Sequence, residues 1–392
     1  MTITTRHNMS VVHLIVRRHR SRQILENLLA DGVPFAMTSN ARGTLIRDRW
    51  YHNLLPIISP ELTQIQLLVP DPAVDSVMER AARHAGLHRS GAGSIHSQPV
   101  DDLHVIGDMP LWPLSAAENP AEDASLDLQE NLTAIYFISQ GERTDAICRA
   151  AMRLGSHGPI VQYTEGHGLR DRLGWLRITS KPIKEVVSLL VENVDADQIF
   201  EVMAVAGQVE QAARGLIYRM PVSKGFVNID SVYSETRHAA TLPQIIRAID
   251  DLKGNKAWRE RDAFTGRTRA GLTGRAERPT NTQAWSLLSV VVNRDMTRQV
   301  SLDLLERGIP GASIDFLQLH PASDDLQHRE LAHIRCVVET PLAVDLEQGM
   351  LEAAHEPMMV YRQVVSRLVT YTAGESPARK RKVYRGVAVN TD

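Results

Sequence analysis

Little in this chain is aromatic, sulfur-bearing or strongly charged, and each shortage removes a class of function. Aromatic residues make up 5% of the 392, which leaves too little stacking surface for a protein that grips single-stranded nucleic acid. The two cysteines, Cys148 and Cys336, stand far apart without paired spacing. That argues against a disulfide framework or a zinc knuckle and makes a reducing cytoplasm the default location. A formal net charge of −2 argues against a whole-chain binder of nucleic acid. No apolar run reaches the roughly 18–20 residues of a membrane span, and Met1 to Arg20 lacks the apolar stretch and cleavage site of a signal peptide. No nucleophile-base-acid constellation, phosphate-loop lysine or full dinucleotide fingerprint is present, so an enzyme is not expected.

What the chain does have is internal repetition. Arg47-Asp48-Arg49 recurs as Arg170-Asp171-Arg172 and Gly32 as Gly155, both 123 residues on. Asp71 recurs as Asp195 after 124 residues, and Pro99-Val100 as Pro221-Val222 after 122. Four landmarks in phase imply duplication of a small domain, because the period is far longer than a solenoid unit. The length suits roughly two to four domains, and 43% hydrophobic with 23% charged residues is the composition of globular protein.

The first copy reads as strand (Val11 to Val16), helix from an N-cap at Ser21 to Gly32, strand (Phe35 to Thr38), strand (Leu62 to Val69), helix opened by Asp71-Pro72, and strand (Ile95 to Val100). The middle copy repeats this order through Leu132 to Ile138, Thr144 to Leu154, Ile160 to Thr164, Trp175 to Val191, Asp197 to Ala206 and Gly215 to Val222. A weaker third copy runs from Leu287 to Tyr371. The fold class expected is therefore α+β, three tandem ferredoxin-like βαββαβ repeats packed as a covalent pseudo-trimer or pairing between chains. The divisions are 9–105, an acidic linker 106–130, 131–229, a helical then flexible basic connector 230–284, 285–374 and a basic tail 375–392.

The stretches Gly91-Ala92-Gly93-Ser94-Ile95-His96-Ser97-Gln98-Pro99-Val100 and Arg214-Gly215-Leu216-Ile217-Tyr218-Arg219-Met220-Pro221-Val222 resemble PII-type nitrogen-regulatory signalling proteins. In that family a glycine-rich loop leads into a strand that often ends in Pro-Val. The middle copy, with Gly166-His167-Gly168-Leu169-Arg170-Asp171-Arg172, looks like the divergent PII-like branch. The resemblance spans about 100 residues in each of the first two copies and is architectural in the third. It implies a trimeric sensor that binds adenine nucleotides (ATP, ADP, AMP or cyclic AMP) between subunits. It also implies a protein partner, a membrane transporter or metabolic enzyme in nitrogen or inorganic-carbon metabolism, engaged through the inter-strand loop. On that basis the ligand-binding candidates are Arg89, Gly91, Gly93, Gly166, Gly168, Arg214 and Gly215. The partner-loop candidates are Arg47, Asp48, Arg49, Arg170, Asp171 and Arg172. Ser94 stands where the family carries a phosphate-gripping lysine, Arg214 precedes a single glycine, and Tyr361-Arg362-Gln363 has none. Three equivalent ATP sites are therefore not expected, and one or two degenerate sites, for a nucleotide with fewer phosphates or another small anion, fit better.

Each group also has a plainer reading. The Arg-Asp-Arg pairs suit an inter-copy ion-pair network or a solvated surface as well as ligand contact. Gly166 and Gly168 suit a tight turn, and a lone Gly-x-Gly is a weak phosphate signal. His84 and His88 lie one helical turn apart with no third ligand, so no metal site is expected. Asp101 to Glu130 carries eight acidic residues and no Lys or Arg, as an extended or disordered linker does. Ile245, Ile246, Ile249 and Leu252 make a helical face that should dock, whereas Thr265 to Thr282 and the run Arg379-Lys380-Arg381-Lys382 read as mobile and basic. The functional expectation is a regulatory sensor, and the alternative is a ligand-free assembly protein built from degenerate modules.

Overall fold

In the computed structural model, residues 3–47, 59–89, 91–107, 111–112, 127–139, 141–168, 183–211, 214–228, 232–234, 248–250, 252–254, 284–322, 329–353 and 358–371 are described. Three stretches of the chain run strand-helix-strand-strand-helix-strand. The first is preceded by β1 (Ile3–Arg6). It consists of β2 (Met9–Arg17), α1 (Arg18–Ala30), β3 (Phe35–Gly43), β5 (Glu61–Pro70), α2 (Val74–Ala85) and β6 (Gly93–Val100), with β4 (Leu45–Arg47) after β3 and β7 (Leu103–Ile106) after β6. The second consists of β8 (Leu132–Ser139), α3 (Thr144–Arg153), β9 (Ile160–Gly168), β10 (Ile183–Glu192), α4 (Asn193–Gly207) and β11 (Leu216–Pro221). It is followed by β12 (Lys224–Asn228) and β13 (Val232–Ser234). The third consists of β14 (Trp285–Asn293), α5 (Thr297–Glu306), β15 (Gly311–Pro321), β16 (Arg329–Glu339), α6 (Thr340–Glu352) and β17 (Met358–Val365), followed by β18 (Arg367–Thr370).

Within each stretch the first strand lies between the third and the fourth, and the second pairs with the third. β2 joins β5 and β6, β8 joins β10 and β11, and β14 joins β16 and β17, all antiparallel. This is the mixed, antiparallel α/β pattern of ferredoxin-like folds. One face of each sheet carries two helices. Val12, Leu14 and Val16 of β2 pack against Ile24, Leu28, Val77 and Ala81, and corresponding clusters form around Phe137 and Phe200 and around Val290 and Leu304. The other face is covered too. Val11, Phe35 and Leu68 meet Val291, Leu317 and Leu331, and Ala134 and Met220 meet Leu287 and Val337. Strands buried on both faces read as near-continuous apolar runs rather than alternating ones.

Three short strands bind the sheets to one another. β7, which follows the first sheet, pairs with β17 of the third; β18, which follows the third, pairs with β11 of the second; β12, which follows the second, pairs with β6 of the first. At another junction the three second strands meet pairwise, β3 with β15, β15 with β9 and β9 with β3. Among the described residues, sixteen strands thereby share one hydrogen-bonded network.

Several local expectations are corrected. The first helix begins at Arg18, not after a cap at Ser21, because Ser21 Oγ donates to the Arg18 carbonyl at 2.8 Å inside the first turn. Asp71 opens a short 3-10 turn ahead of α2, and its carboxylate accepts from Ser10 at 2.8 Å. The acidic stretch from Asp101 is structured at its start, since Leu103, Val105 and Ile106 are buried in β7 and Trp112 in the first helical core. The end of the third copy, which runs to Tyr371, is broken at Ser366 into β17 and β18, which pair with different sheets. Of the connector face, Leu252 is 86% exposed while Asp250 is buried, so Leu252 does not dock. The segments Thr265 to Thr282 and Arg379 to Lys382 lie outside the described residues.

Two glycines of the expected ligand loops have a structural task at equivalent places. Gly93 (φ +148°) and Gly215 (φ +114°) precede the fourth strands, and a Cβ there would lie 1.9 Å from the Ile15 carbonyl oxygen and 1.8 Å from that of Ile138. Gly93→Ala and Gly215→Ala should each destabilise by about 2–4 kcal/mol, combining strain with a broken strand pair. Gly32→Ala, with φ +92° but open space around it, should cost about 1 kcal/mol. Urea unfolding midpoints of the three variants check the order.

Candidate ligand sites at the seams and in the central chamber

At each seam a cation or imidazole on the incoming short strand meets an acid on the second helix of the sheet it completes. Lys224 of β12 reaches Asp75 of α2 at 2.7 Å, His104 of β7 lies 3.2 Å from Glu347 of α6, and Arg367 of β18 pairs with Asp197 and Glu201 of α4. The guanidinium of Arg367 also lies over the Phe200 ring, 4.5 Å from its centroid. The seam of β7 with β17 carries a further cluster of ion pairs, because Arg362 of β17 contacts Glu347, Asp101 and Asp102.

The loop between α2 and β6 sits at the seam of the first and second sheets. Asn228 of β12 donates its side-chain amide to the carbonyls of Leu87 at 2.8 Å and Arg89 at 3.0 Å. Arg17 donates to the Gly91 carbonyl at 3.4 Å. Arg89 itself is exposed, and Gly91 (φ +70°) and Gly93 carry the chain into β6. Arg17 and Arg18 also line a surface depression of about 490 Å³ with His19, Pro60 and Glu61. In the corresponding loop before β11, Arg214 donates to Gln211 at 3.4 Å and Gly215 opens the strand.

The other expected site residues fall elsewhere. Gly166 and Gly168 are in β9, opposite Ser313 and Gly311 of β15, so they occupy a strand rather than a tight turn. The pairing of the second strands extends β9 past the point where the sequence suggests a loop. Arg47 ends β4, opposite Ser234 of β13 in a parallel pair. Asp48, Arg49, Arg170, Asp171 and Arg172 lie outside the described residues. His84 bonds Asp31 at 2.8 Å, and among the described residues no group of three His, Cys, Asp or Glu could hold a metal.

A second candidate lies where the inner faces of the three sheets converge. Cross-strand register places Gln66, His13 and His96 in one row, Ser188, Tyr136 and Tyr218 in another, and Arg335, Ser289 and Tyr361 in a third. These rows border a cavity of about 40 Å³. His13 and His96 stack at 4.8 Å and Tyr136 and Tyr218 at 5.2 Å. Gln64 bonds His13 at 2.7 Å, Tyr136 donates to Gln98 at 3.2 Å, and His333 lies 3.2 Å from the Tyr361 hydroxyl. Arg335 forms an ion pair with Asp315 one strand away.

Burial sets the protonation here. It lowers His13 to about 3, with the Arg335 charge adding to the effect. Burial likewise holds His96 and His333 well below the usual imidazole range, helped by His13 for the first and by Arg335 and His13 for the second. Burial pushes Tyr218 and Tyr361 up to about 12. At neutral pH the imidazoles are therefore neutral and the phenols protonated, and the Arg335–Asp315 pair brings no net charge. The sequence reading missed this chamber. The signal available was polar residues, His13 and Gln66 among them, inside strands that are otherwise apolar.

No family model and no curated protein matches the chain. Among solved structures, the aspartate kinase from Synechocystis aligns with 93% of this chain at 10% identity and a TM-score of 0.20. This chain covers 46% of that kinase's length. The ligand-free regulatory subunit of aspartate kinase from Thermus thermophilus aligns with 53% of this chain and 97% of its own length, at 10% identity and a TM-score of 0.19. An anthrone oxidase-like protein aligns with 63% of this chain and 95% of its own at 10% identity and a TM-score of 0.16. None of the three is a PII-type protein by name, and at these scores the likeness carries no argument about function. No helix among the described residues is long and apolar enough to cross a membrane.

The buried imidazoles give stability a defined pH dependence. An unfolded histidine binds its proton near pH 6.5, whereas folded His13 binds it near 3, so between those values the unfolded state holds more protons. Stability should be full above pH 6.5 and fall as the pH drops toward 3, by up to about 2 kcal/mol at pH 5 for His13. Urea titrations at pH 7.5 and 5.0 measure the loss, and His13→Gln should flatten its share of the slope. A slope unchanged by the substitution would assign the acid loss to other groups.

Proposed function

We propose that this chain is a non-catalytic regulatory sensor. It is a single-chain pseudo-trimer of PII-like modules that binds an adenine nucleotide or another small anion at a seam and controls a partner protein. The observation that carries the reading is the strand exchange. It brings the loop Arg89 to Gly93 of one module against Asn228 of the next, so a ligand held there touches two modules and reports on their relative position. Arg89, exposed beside the two glycines, supplies the cation, and Arg214 with Gly215 supplies a weaker second place. Linking three modules covalently raises their effective concentration and lets each seam diverge. The partner is a transporter or metabolic enzyme that reads the inter-strand segments around Arg47 and Arg170. Both cysteines are buried with thiols pushed up to about 12, which suits a protein without an activated thiol nucleophile.

A second reading, an assembly protein without ligand, draws on the seam of β7 with β17. There Arg362 is engaged by three carboxylates, as in a structural contact. Calorimetric titration with ATP, ADP, AMP, cyclic AMP and bicarbonate separates the two. Saturable binding at one per chain or fewer is expected, weakened by roughly 1.5–3 kcal/mol in Arg89→Ala through loss of a charge-assisted hydrogen bond. No heat with any of the five, together with an unchanged melting temperature, would favour the assembly reading.

A further inference from the structure

The polar atoms around the central chamber are left uncommitted to a degree that the fold does not explain. Gln66, Ser94, His96 and His333 are each at most 6% exposed. Yet Gln66 Oε1, Ser94 Oγ, both ring nitrogens of His96 and His333 Nδ1 have no hydrogen-bond partner, and neither has Arg335 Nε. All five residues border the same cavity. Buried polar atoms so seldom lack partners that a cluster of them around one void marks a place that something fills.

The void itself limits what that is. A water needs about 10–15 Å³ by the same measure, so 40 Å³ admits roughly three such volumes, a molecule of three or four heavy atoms. Arg335 borders the chamber and is already matched by Asp315, which lies behind the lining, and burial keeps His13, His96 and His333 neutral. An ion would enter uncompensated, which a buried site resists. The uncommitted atoms are mixed in kind: Gln66 Oε1 accepts, Arg335 Nε donates, Ser94 does either, and a neutral His96 offers one of each. The stacked ring pairs His13–His96 and Tyr136–Tyr218 border the chamber.

We propose that the chamber binds one small uncharged planar molecule of the carboxamide or urea type, with N–H groups toward Gln66 and His96 and its carbonyl toward Ser94 and Arg335. His157, with Leu190 and Val227, borders both the chamber and an outer groove of about 280 Å³. This site is distinct from the seam loops and stands whether or not a nucleotide binds there.

Ligand-observed NMR on the full chain tests it, with formamide and acetamide as probes and formate, nitrate and guanidinium as charged counterparts. Saturable binding of both amides at one site per chain is expected, without binding of the three ions. About tenfold weaker amide binding is expected in Ser94→Ala and in Gln66→Met. Ser94→Ala removes a single hydroxyl, so it carries the test if Gln66→Met does not fold. A crystal of the full chain soaked in formamide should show the molecule beside His96. Absence of saturable amide binding, preference for formate or nitrate, or unchanged affinity in the variants would overturn the proposal and leave the chamber to water.

Discussion

An open sheet edge exposes a row of unpaired backbone N–H and C=O groups, and this structure removes three such edges by passing strands in a cycle. The fourth strand of every ferredoxin-like stretch is the vulnerable one. β6, β11 and β17 are each covered by a short strand that belongs to a different stretch: β12, β18 and β7. The first stretch completes the third, the third completes the second and the second completes the first. No sheet is finished by its own chain segment, so folding of the individual stretches and their association are one problem. The ion pairs at the seams follow from this arrangement, because the incoming strand lies beside the second helix of its host and carries its cation there.

The same closure decides what lies at the centre. Once the edges are joined, the sheet faces without helices turn toward one another, and most of their residues are apolar. One level is not. The rows through His13, Tyr136 and Ser289 bring rings, amides and a guanidinium into a place where hydrocarbon would pack with less penalty. Such a layer does punish error, because a one-residue slip of β2 or β16 would turn His13 or Arg335 toward a helix-covered core with no polar partner. Register and chamber are thus linked: the polar level is affordable where all three sheets stand in the registers observed.

How far the sequence foretold this depends on the range over which the information acts. Helices and central strands were legible, since apolar periodicity, Gly32 and the Asp71-Pro72 pair act within a few residues. The strand-helix-strand-strand-helix-strand order of each stretch was legible too. The exchanged strands were not, because four or five residues such as Leu103–Ile106 or Arg367–Thr370 acquire their structure from a partner elsewhere in the chain. Gly166 and Gly168 misled for the same reason, with β15 turning an apparent loop into strand. Of the seam residues, Gly93 and Gly215 were noticed as ligand glycines, whereas the structure shows a steric need independent of any ligand. Asn228, His13 and Arg335 drew no notice, since a single polar residue in a strand has no local pattern to mark it.

The two candidate sites share a strand. β6 begins at Gly93, in the seam loop, and within the next five residues presents Ser94, His96 and Gln98 to the chamber. It is held on both sides, by β2 along its length and by β12 over Gly93 to Ser97. A strand paired on both edges cannot swing like a loop; it can shift along its ladder or stay in place. A ligand that moved the Arg89 to Gly93 loop would therefore act on the chamber through a displacement of β6 as a body, and its neighbour β12 would carry the movement into the second stretch. β11 offers the parallel case, with Gly215 just before its start and Tyr218 on the chamber wall. β17 differs, because Arg362 is anchored by Glu347 beside Tyr361. Two strands thus connect a glycine loop to the centre, and the third ties the centre to a fixed ion-pair cluster. The proposed sensing of relative module position would draw on that asymmetry, with some elements able to shift against one that does not.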